Sequence, residues 1–333
     1  MVCLERRLQI AGCTGLARNA RALAGVFVSA CALALAGCSS LWPQSAKLAE
    51  GLPAGIPERV ELTEVPFYPQ KEYQCGPAAL ATALGASGVK VTPDELVPQV
   101  YLPARKGSLQ VEMMAAARRH GLVSYQLAPR FDDLLREIAA GTPVIVLQNL
   151  ALGEGWHYAV AMGYDYPEGK LVLRSGETER EVMNFVAHET FWKRSGYWAM
   201  VAMPPGRIPA TADEARWLAA IAALERAGGV EPARRAYAAF LERWPANVGA
   251  AIGLANTLHA AGRLAEAERV LRDAERRDPA SAIVLNNLAQ TISDQGRHEE
   301  ALPFIERAVA AGGPHTAAIA DTRRAILERI RKK

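Results

Sequence analysis

The fold of this chain is decided by the stretch Tyr73-Gln74-Cys75-Gly76-Pro77-Ala78-Ala79-Leu80. Small and apolar residues continue to Leu84 and stop at Gly85 and Gly88, which predicts a helix with a proline in its first turn. A thiol at that position meets unpaired backbone N–H groups and the positive end of the helix, so we expect a lowered thiol pKa. Gly76 would let the backbone approach a substrate closely. The alternative is a buried structural cysteine at a helix start.

The residues that follow predict a domain of mixed secondary structure. Helical patterns run over residues 108–120 and 131–140, each ended by a glycine. Buried strands are predicted at 144–147, 157–164 and 171–174, the last two joined by a turn as an antiparallel pair. Because the helices come first and a small sheet second, the pattern indicates an α+β fold.

A repeat of 34 residues marks the C-terminal part of the chain. Leu254 and Leu288 are 34 residues apart, as are Gly262 and Gly296, and Ala267 and Ala301, and three prolines follow at spacings of 34 and 35. Glycine between paired helices and a small alanine where helices cross are similar to tetratricopeptide repeats. An unrelated helical bundle would not be expected to keep one period in several residue types. The pattern predicts an all-α solenoid of three units. We expect the repeats to bind the substrate or a protein partner, and the alternative is a passive spacer.

The N-terminus reads as a targeting segment. Arginines are followed by an apolar run over residues 22–36 that ends in Leu35-Ala36-Gly37-Cys38. Fifteen residues are short for a membrane span, and small residues before a cysteine resemble the lipobox of bacterial lipoproteins. We therefore expect lipid attachment at Cys38 and, by resemblance to sorting patterns with Ser39, the outer membrane facing the periplasm. An uncleaved anchor or a plain signal peptide would leave Cys38 an ordinary residue.

The positions of the cysteines and the distribution of charge limit the functions that the chain can have. The five cysteines are residues 3, 13, 31, 38 and 75, so a cleaved and lipidated chain would leave Cys75 without a disulfide partner. The formal net charge of +3 comes from the first 37 residues, and the remainder is neutral. The sequence after residue 37 therefore has no excess of positive charge that would indicate binding to nucleic acid. No metal-binding cluster or phosphate-binding glycine loop is visible either, so we expect no metal and no cofactor.

A nucleophilic cysteine needs a base, and His157 is the strongest candidate. It opens a predicted strand after a glycine-containing loop, whereas His188 is held in reserve. If the following turn pairs Tyr164 with Lys170, residue 177 lies opposite His157 and residue 175 diagonally beside it. Ser175 and Glu177 are thus the candidates for orienting the imidazole, because Asp165 lies about 26 Å away along the strand.

The motifs taken in order resemble papain-like cysteine peptidases of family thirty-nine, over about residues 66–201. The matching elements are Gln70 and residues 75–80, 107–109, 141–146 and 157–165. The resemblance implies that Cys75 attacks an acyl carbon, that His157 acts as base and then acid, and that the Gln70 side chain helps to form the oxyanion hole.

Two positions depart from the family pattern. An aspartate or asparagine usually orients the histidine, and the matching position here is Ser175, which brings no charge. Glu177 could substitute for it. Gln70 precedes the cysteine by one residue fewer than expected, which leaves Gln74 as an alternative donor.

The predicted organisation is a lipoprotein signal peptide (1–37), a tether (38–58), a papain-like cysteine peptidase domain (59–203), a linker (204–212), tetratricopeptide repeats (213–315) and a C-terminal capping helix (316–333). The tether is polar and contains Pro43, Pro53 and Gly55, so we expect it to be loop-like. The function expected from it is that of a membrane-anchored cysteine peptidase acting on a peptide or protein. Two alternatives are a non-catalytic scaffold lipoprotein and an acyl or peptidyl transferase that uses the same cysteine and histidine.

Overall fold

A seven-stranded antiparallel sheet organises the first part of the chain in the computed structural model, which describes residues 41–70, 72–150 and 155–332. Its strands are β1 (Arg59–Glu61), β4 (Val123–Gln126), β5 (Val144–Asn149), β6 (Trp156–Asp165), β7 (Lys170–Ser175), β8 (Thr178–Asn184) and β9 (Ala199–Met203). Their order is β4-β9-β5-β6-β7-β8, with β1 paired to the far end of β6. A separate pair is formed by β2 (Tyr101–Leu102) and β3 (Gly107–Ser108).

Helices cover both faces of this sheet because its central strands are apolar on both sides. The helices are α2 (Cys75–Ala86), α3 (Pro93–Val100), α4 (Gln110–Arg119), α5 (Phe131–Ala139) and α6 (Phe185–Trp192). Ile145 and Val160 pack in one core with α2. Val144 and Val146 alternate to the other face and are equally buried, where α5 and α6 contact the sheet. The predicted α+β fold is confirmed, with a larger sheet than expected.

The helix α2 lies at the centre of the domain. Every residue from Gly76 to Leu84 is buried, as expected for a helix that is apolar on all sides. Burial of this helix fixes its first turn, and therefore Cys75, against the end of the sheet. The thiol itself packs against the edge of the apolar core.

Seven helices follow as three antiparallel pairs and a last helix: α7 (Glu214–Arg226), α8 (Val230–Arg243), α9 (Val248–Ala260), α10 (Leu264–Arg277), α11 (Ala282–Asp294), α12 (His298–Ala311) and α13 (Thr316–Arg331). Gly228, Gly262 and Gly296 connect the helices within the pairs, each with a positive φ that favours glycine. The alanines at the same phase, of which Ala267 is one, are fully buried. The predicted solenoid of tetratricopeptide repeats is confirmed.

Residues 204–212, predicted as a linker, contain no helix or strand but are held by hydrogen bonds. The buried carboxylate of Glu137 accepts bonds from the backbone N–H groups of Ala210 and Thr211 and from the Thr211 hydroxyl. Trp217 of α7 is fully buried, and its ring lies edge-on to Tyr125 at 5.6 Å. The solenoid is therefore continuous with the sheet domain through an apolar and hydrogen-bonded junction.

The predicted tether contains a helix, so the expectation of a loop over its whole length was wrong. The helix α1 spans Pro43–Glu50 and ends at Gly51. Proline suits the first turn of a helix, and alanine, lysine, leucine and glutamate favour its interior. These propensities outweigh the local polarity that suggested a loop.

The predicted signal peptide (residues 1–37) and the predicted lipid attachment at Cys38 lie outside the described residues. None of the helices in the described ranges combines the length and the apolarity that crossing a membrane requires.

Candidate active site

Cys75, His157 and Gln70 line one cleft of about 940 Å³ at the end of the sheet. Cys75 is the first residue of α2 and His157 the second residue of β6. The backbone of Tyr158, the residue after His157, forms a hydrogen bond with the Cys75 thiol that favours the thiolate. The chain therefore brings the predicted nucleophile and the predicted base to the same opening, although they are 82 positions apart.

Ser175 orients the imidazole of His157 in this arrangement. The Nε2 atom of His157 lies 3.0 Å from Ser175 Oγ, and Ser175 is 8% exposed at the end of β7. Glu177, the other candidate, is exposed in the turn between β7 and β8. Asp165 lies at the opposite end of β6, where it forms an ion pair with Arg59.

The register that brings Ser175 to His157 depends on a bulge. The turn pairs Tyr164 with Leu171 rather than with Lys170, so the predicted register was wrong by one residue there. A shift between Ala161 and Gly163 then pairs Val160 with Arg174, which is the predicted register. Since a slip of one residue inverts the face of every side chain, the bulge is what returns Ser175 to the face of His157.

The Cys75 thiol has a raised pKa, against the expectation from the helix start. Burial raises the pKa, whereas hydrogen bonding to the backbone of Tyr158, Gly76 and Cys75 itself lowers it. Burial has the larger effect because desolvation disfavours the charged form of the thiol. The net effect on the thiol is therefore a raised pKa, which favours its protonated form.

Gln70 and Gln74, the two alternatives for the oxyanion donor, lie in different places. Gln70 Nε2 donates to the carbonyl of Tyr158 at 3.3 Å, and the Gln70 backbone N–H donates to the carbonyl of Gly176. Gln74 instead lines a separate, smaller cavity, where its buried Oε1 has no hydrogen-bond partner among the described residues. Because Gln70 lines the cleft of Cys75, its placement favours Gln70 over Gln74 as the candidate oxyanion donor.

Gly76 allows two elements of the domain to pack closely, which is not the role that the sequence suggested. A Cβ at this position would lie 2.6 Å from the Ser108 Cβ and closer still to its Oγ. The space beside Gly76 is therefore filled by Ser108, which is held in place because the Tyr158 hydroxyl donates to its carbonyl at 3.2 Å. Gly76 permits the close approach of α2 and β3 rather than of a substrate.

His188, the reserve base, is sealed in the core on the other side of β5. It is fully buried among Phe131 and Trp192, and its Nδ1 lies 3.0 Å from Gln148 Nε2. Burial lowers the pKa of His188 to about 3. It does not line the cleft of Cys75.

The His188 pKa predicts a loss of stability in mild acid. In the unfolded chain His188 becomes protonated below its ordinary pKa of about 6.5, whereas in the folded chain it stays neutral until the pH approaches 3. The free energy of unfolding is thus unaffected by His188 above pH 6.5, and it decreases by about 1.4 kcal/mol per pH unit as the pH falls from 6.5 toward 3. Between pH 7 and pH 4.5 the free energy of unfolding in urea should decrease by about 2.5 kcal/mol more for the native chain than for His188→Asn. Parallel curves for the two proteins would contradict this assignment.

Sequence reasoning missed the walls of the cleft. Arg105, Lys106 and Arg194 line it, as do the exposed rings of Tyr73 and Trp156. All except Trp156, which opens β6, come from loops and short turns. Nothing in the local sequence pattern indicates on which side of the sheet such a turn will lie.

These features define a class of protein with a candidate cysteine hydrolase site on an α+β domain that is joined to helical repeats. The description "Peptidase_C39 like family" belongs to the family model that matches residues 62–200. Tetratricopeptide repeat models match residues 218–282 and 260–316. The chain therefore carries a C39-like peptidase domain followed by tetratricopeptide repeats.

Solved structures similar to each part are found, whereas no curated protein matches the chain. A protein from Bacillus anthracis assigned as a C39-like peptidase is 17% identical, with 43% of this chain and 96% of that chain covered and a TM-score of 0.37. A tetratricopeptide-repeat protein from Thermus thermophilus is 20% identical, with 35% of this chain and 66% of that chain covered and a TM-score of 0.32.

Proposed function

We propose that this chain is a cysteine peptidase that hydrolyses a peptide or protein through a thioester on Cys75. The observation that carries the proposal is the placement of His157, which lines the cleft of Cys75 and has its Nε2 against Ser175. A base that lines the same cleft as a thiol and is itself held by a third group is the arrangement that nucleophilic catalysis uses. The match to the peptidase family model over residues 62–200 agrees with it.

The proposed reaction begins with transfer of the thiol proton from Cys75 to His157. The sulfur then attacks the acyl carbon, and the Gln70 amide donates to the oxygen that becomes negative. The C–N bond breaks as His157 returns the proton to the leaving amine, which leaves an acyl group on sulfur. Water, deprotonated by His157, attacks this thioester, and the thiol and a carboxylic acid are released.

The serine at position 175 affects how well His157 can act as a base. His157 accepts a proton at Nδ1 only in the tautomer in which Nε2–H donates to Ser175. An aspartate would enforce that tautomer, whereas a hydroxyl accepts or donates and so leaves both tautomers accessible. A scaffold without catalysis is therefore the second candidate function, and the raised pKa of Cys75 is the other observation that favours it.

The location in the cell is also part of the proposal. The sequence Leu35-Ala36-Gly37-Cys38 supports a lipid anchor at Cys38, with Ser39 after it favouring the outer membrane. In that setting the repeats would bind the substrate or a partner protein, as stacked helical repeats commonly do.

Peptide hydrolysis tests the proposal directly. The full chain is incubated with a mixture of peptides, and new termini are identified by mass spectrometry beside the matched variant Cys75→Ala. We expect cleavage by the native chain and a loss of about 10³-fold or more in the variant. Products that carry an added amine in place of a new carboxylate would instead indicate transfer. Absence of cleavage, with Cys75 no more reactive toward iodoacetamide than in the unfolded chain, would support the scaffold.

A further inference from the structure

Positive charge lines the cleft from two sides. Arg105 and Lys106 come from the turn between β2 and β3, on the side of α2. Arg194 comes from the short helical turn after α6 and donates to the carbonyl of Asn149 at 3.0 Å, beside the start of β6. Among the described residues that line the cleft, Glu72 alone is acidic.

The cleft cations differ from two exposed arginines elsewhere on the same domain. Arg59 and Arg180 are paired with the carboxylates of Asp165 and Glu61. Within residues 41–70, 72–150 and 155–332, neither Arg105 nor Lys106 nor Arg194 has a carboxylate partner. Among the described residues, the three cations of the cleft therefore carry positive charge that no ion pair compensates.

Two aromatic rings flank the reactive pair and extend this surface. Tyr73 stands two residues before Cys75 and is 45% exposed, and Trp156 stands one residue before His157 and is 55% exposed. The ammonium of Lys106 lies over the Tyr73 ring, 5.1 Å from its centre. Tyr73 and Lys106 both have a left-handed backbone, which is unfavourable for a non-glycine residue. The contact between them places the cation at the rim of the cleft.

A peptide lying over these rings would exclude water from the cations beside it, and an ion pair is stronger where water is excluded. Acidic side chains on the peptide would then be favoured, and basic ones repelled. We propose that the cleft selects peptides with acidic side chains beside the bond that Cys75 attacks. This inference rests on the proposed function and names its substrate class.

The test compares peptidyl acyloxymethyl ketones that differ only in charge. In these compounds the sulfur of Cys75 forms a bond to the ketone methylene as the carboxylate leaves, so the labelling rate reports occupancy of the cleft without hydrolysis. One compound carries glutamate in the peptide beside the ketone, and its partner carries glutamine at the same positions. For the full chain we expect labelling by the glutamate compound to be about tenfold faster, with a ratio that decreases as the salt concentration rises.

The variant Arg105→Gln/Lys106→Gln/Arg194→Gln should bring this ratio to about one. Lys90→Gln removes an exposed lysine that lies outside the cleft and should keep the native ratio. A native ratio of one or below, or a ratio that the triple variant leaves unchanged, would overturn the inference.

A second measurement separates this inference from the proposed function. If neither compound nor iodoacetamide labels Cys75, the proposed nucleophile fails. Fluorescence anisotropy of the same glutamate and glutamine peptides with Cys75→Ser then decides the charge preference. A tighter complex with the glutamate peptide would support it, and equal affinities would refute it.

Discussion

Replacing Gly76 by alanine is expected to lower the rate at which Cys75 reacts by about 100-fold, although the residue carries no functional group. The new Cβ would lie 2.6 Å from the Ser108 Cβ, a distance that real structures avoid, so α2 and β3 must separate. A displacement of about 1 Å at a reacting atom costs on the order of 10²-fold in rate. Labelling by iodoacetamide and hydrolysis of peptides should decrease together.

A second substitution distinguishes this contact from a general loss of stability. Gly76→Ala/Ser108→Gly removes the atoms that the methyl group would meet, and the next neighbour is the Met113 sulfur at 3.3 Å. The double variant should recover most of the rate. Gly206→Ala is the control, because a Cβ there meets nothing within 4 Å. A double variant as slow as the single one would show that Gly76 acts in another way.

The elements that could be predicted from the sequence are those with a strong local signal. Helix α2 follows from an apolar run with proline in the first turn, and the repeats follow from glycines and alanines at one period. Residues 178–184, which form β8, were missed because alternate charged residues hide a strand that is exposed on one face. The helix α1 was missed because two prolines and a glycine suggested a loop.

Motif order brought Cys75, His157 and Ser175 into one hypothesis, and the fold places all three at the end of the sheet. What the sequence could not provide was the balance of opposing effects. The helix start and the burial of Cys75 shift its pKa in opposite directions, and only the packing around the thiol decides between them. The same holds for Gly76, whose neighbour Ser108 is distant in the sequence.

His157→Gln should lower the rate of peptide hydrolysis by about 10² to 10⁴-fold, the range that general acid and base catalysis provides. The effect should be large because burial raises the pKa of Cys75, so little thiolate is present near neutral pH without a base. Labelling of Cys75 by iodoacetamide should decrease as well, and the loss should diminish as the pH rises and hydroxide removes the proton. A variant that reacts as fast as the native chain at pH 7 would exclude His157 as the base.

Substitutions of Ser175 test how the orientation of His157 affects the rate of hydrolysis. Ser175→Ala removes the atom that lies 3.0 Å from Nε2, and we expect a loss of about tenfold because the imidazole is no longer oriented. Ser175→Asp supplies the charge that stabilises imidazolium and enforces the tautomer with Nδ1 as acceptor, so it should be at least as fast as the native chain. The order Asp, Ser, Ala in hydrolysis rate would identify Ser175 as the third member of the site. Equal rates for all three would mean that His157 is positioned by the strand alone, and that the hydroxyl is incidental to the chemistry of Cys75.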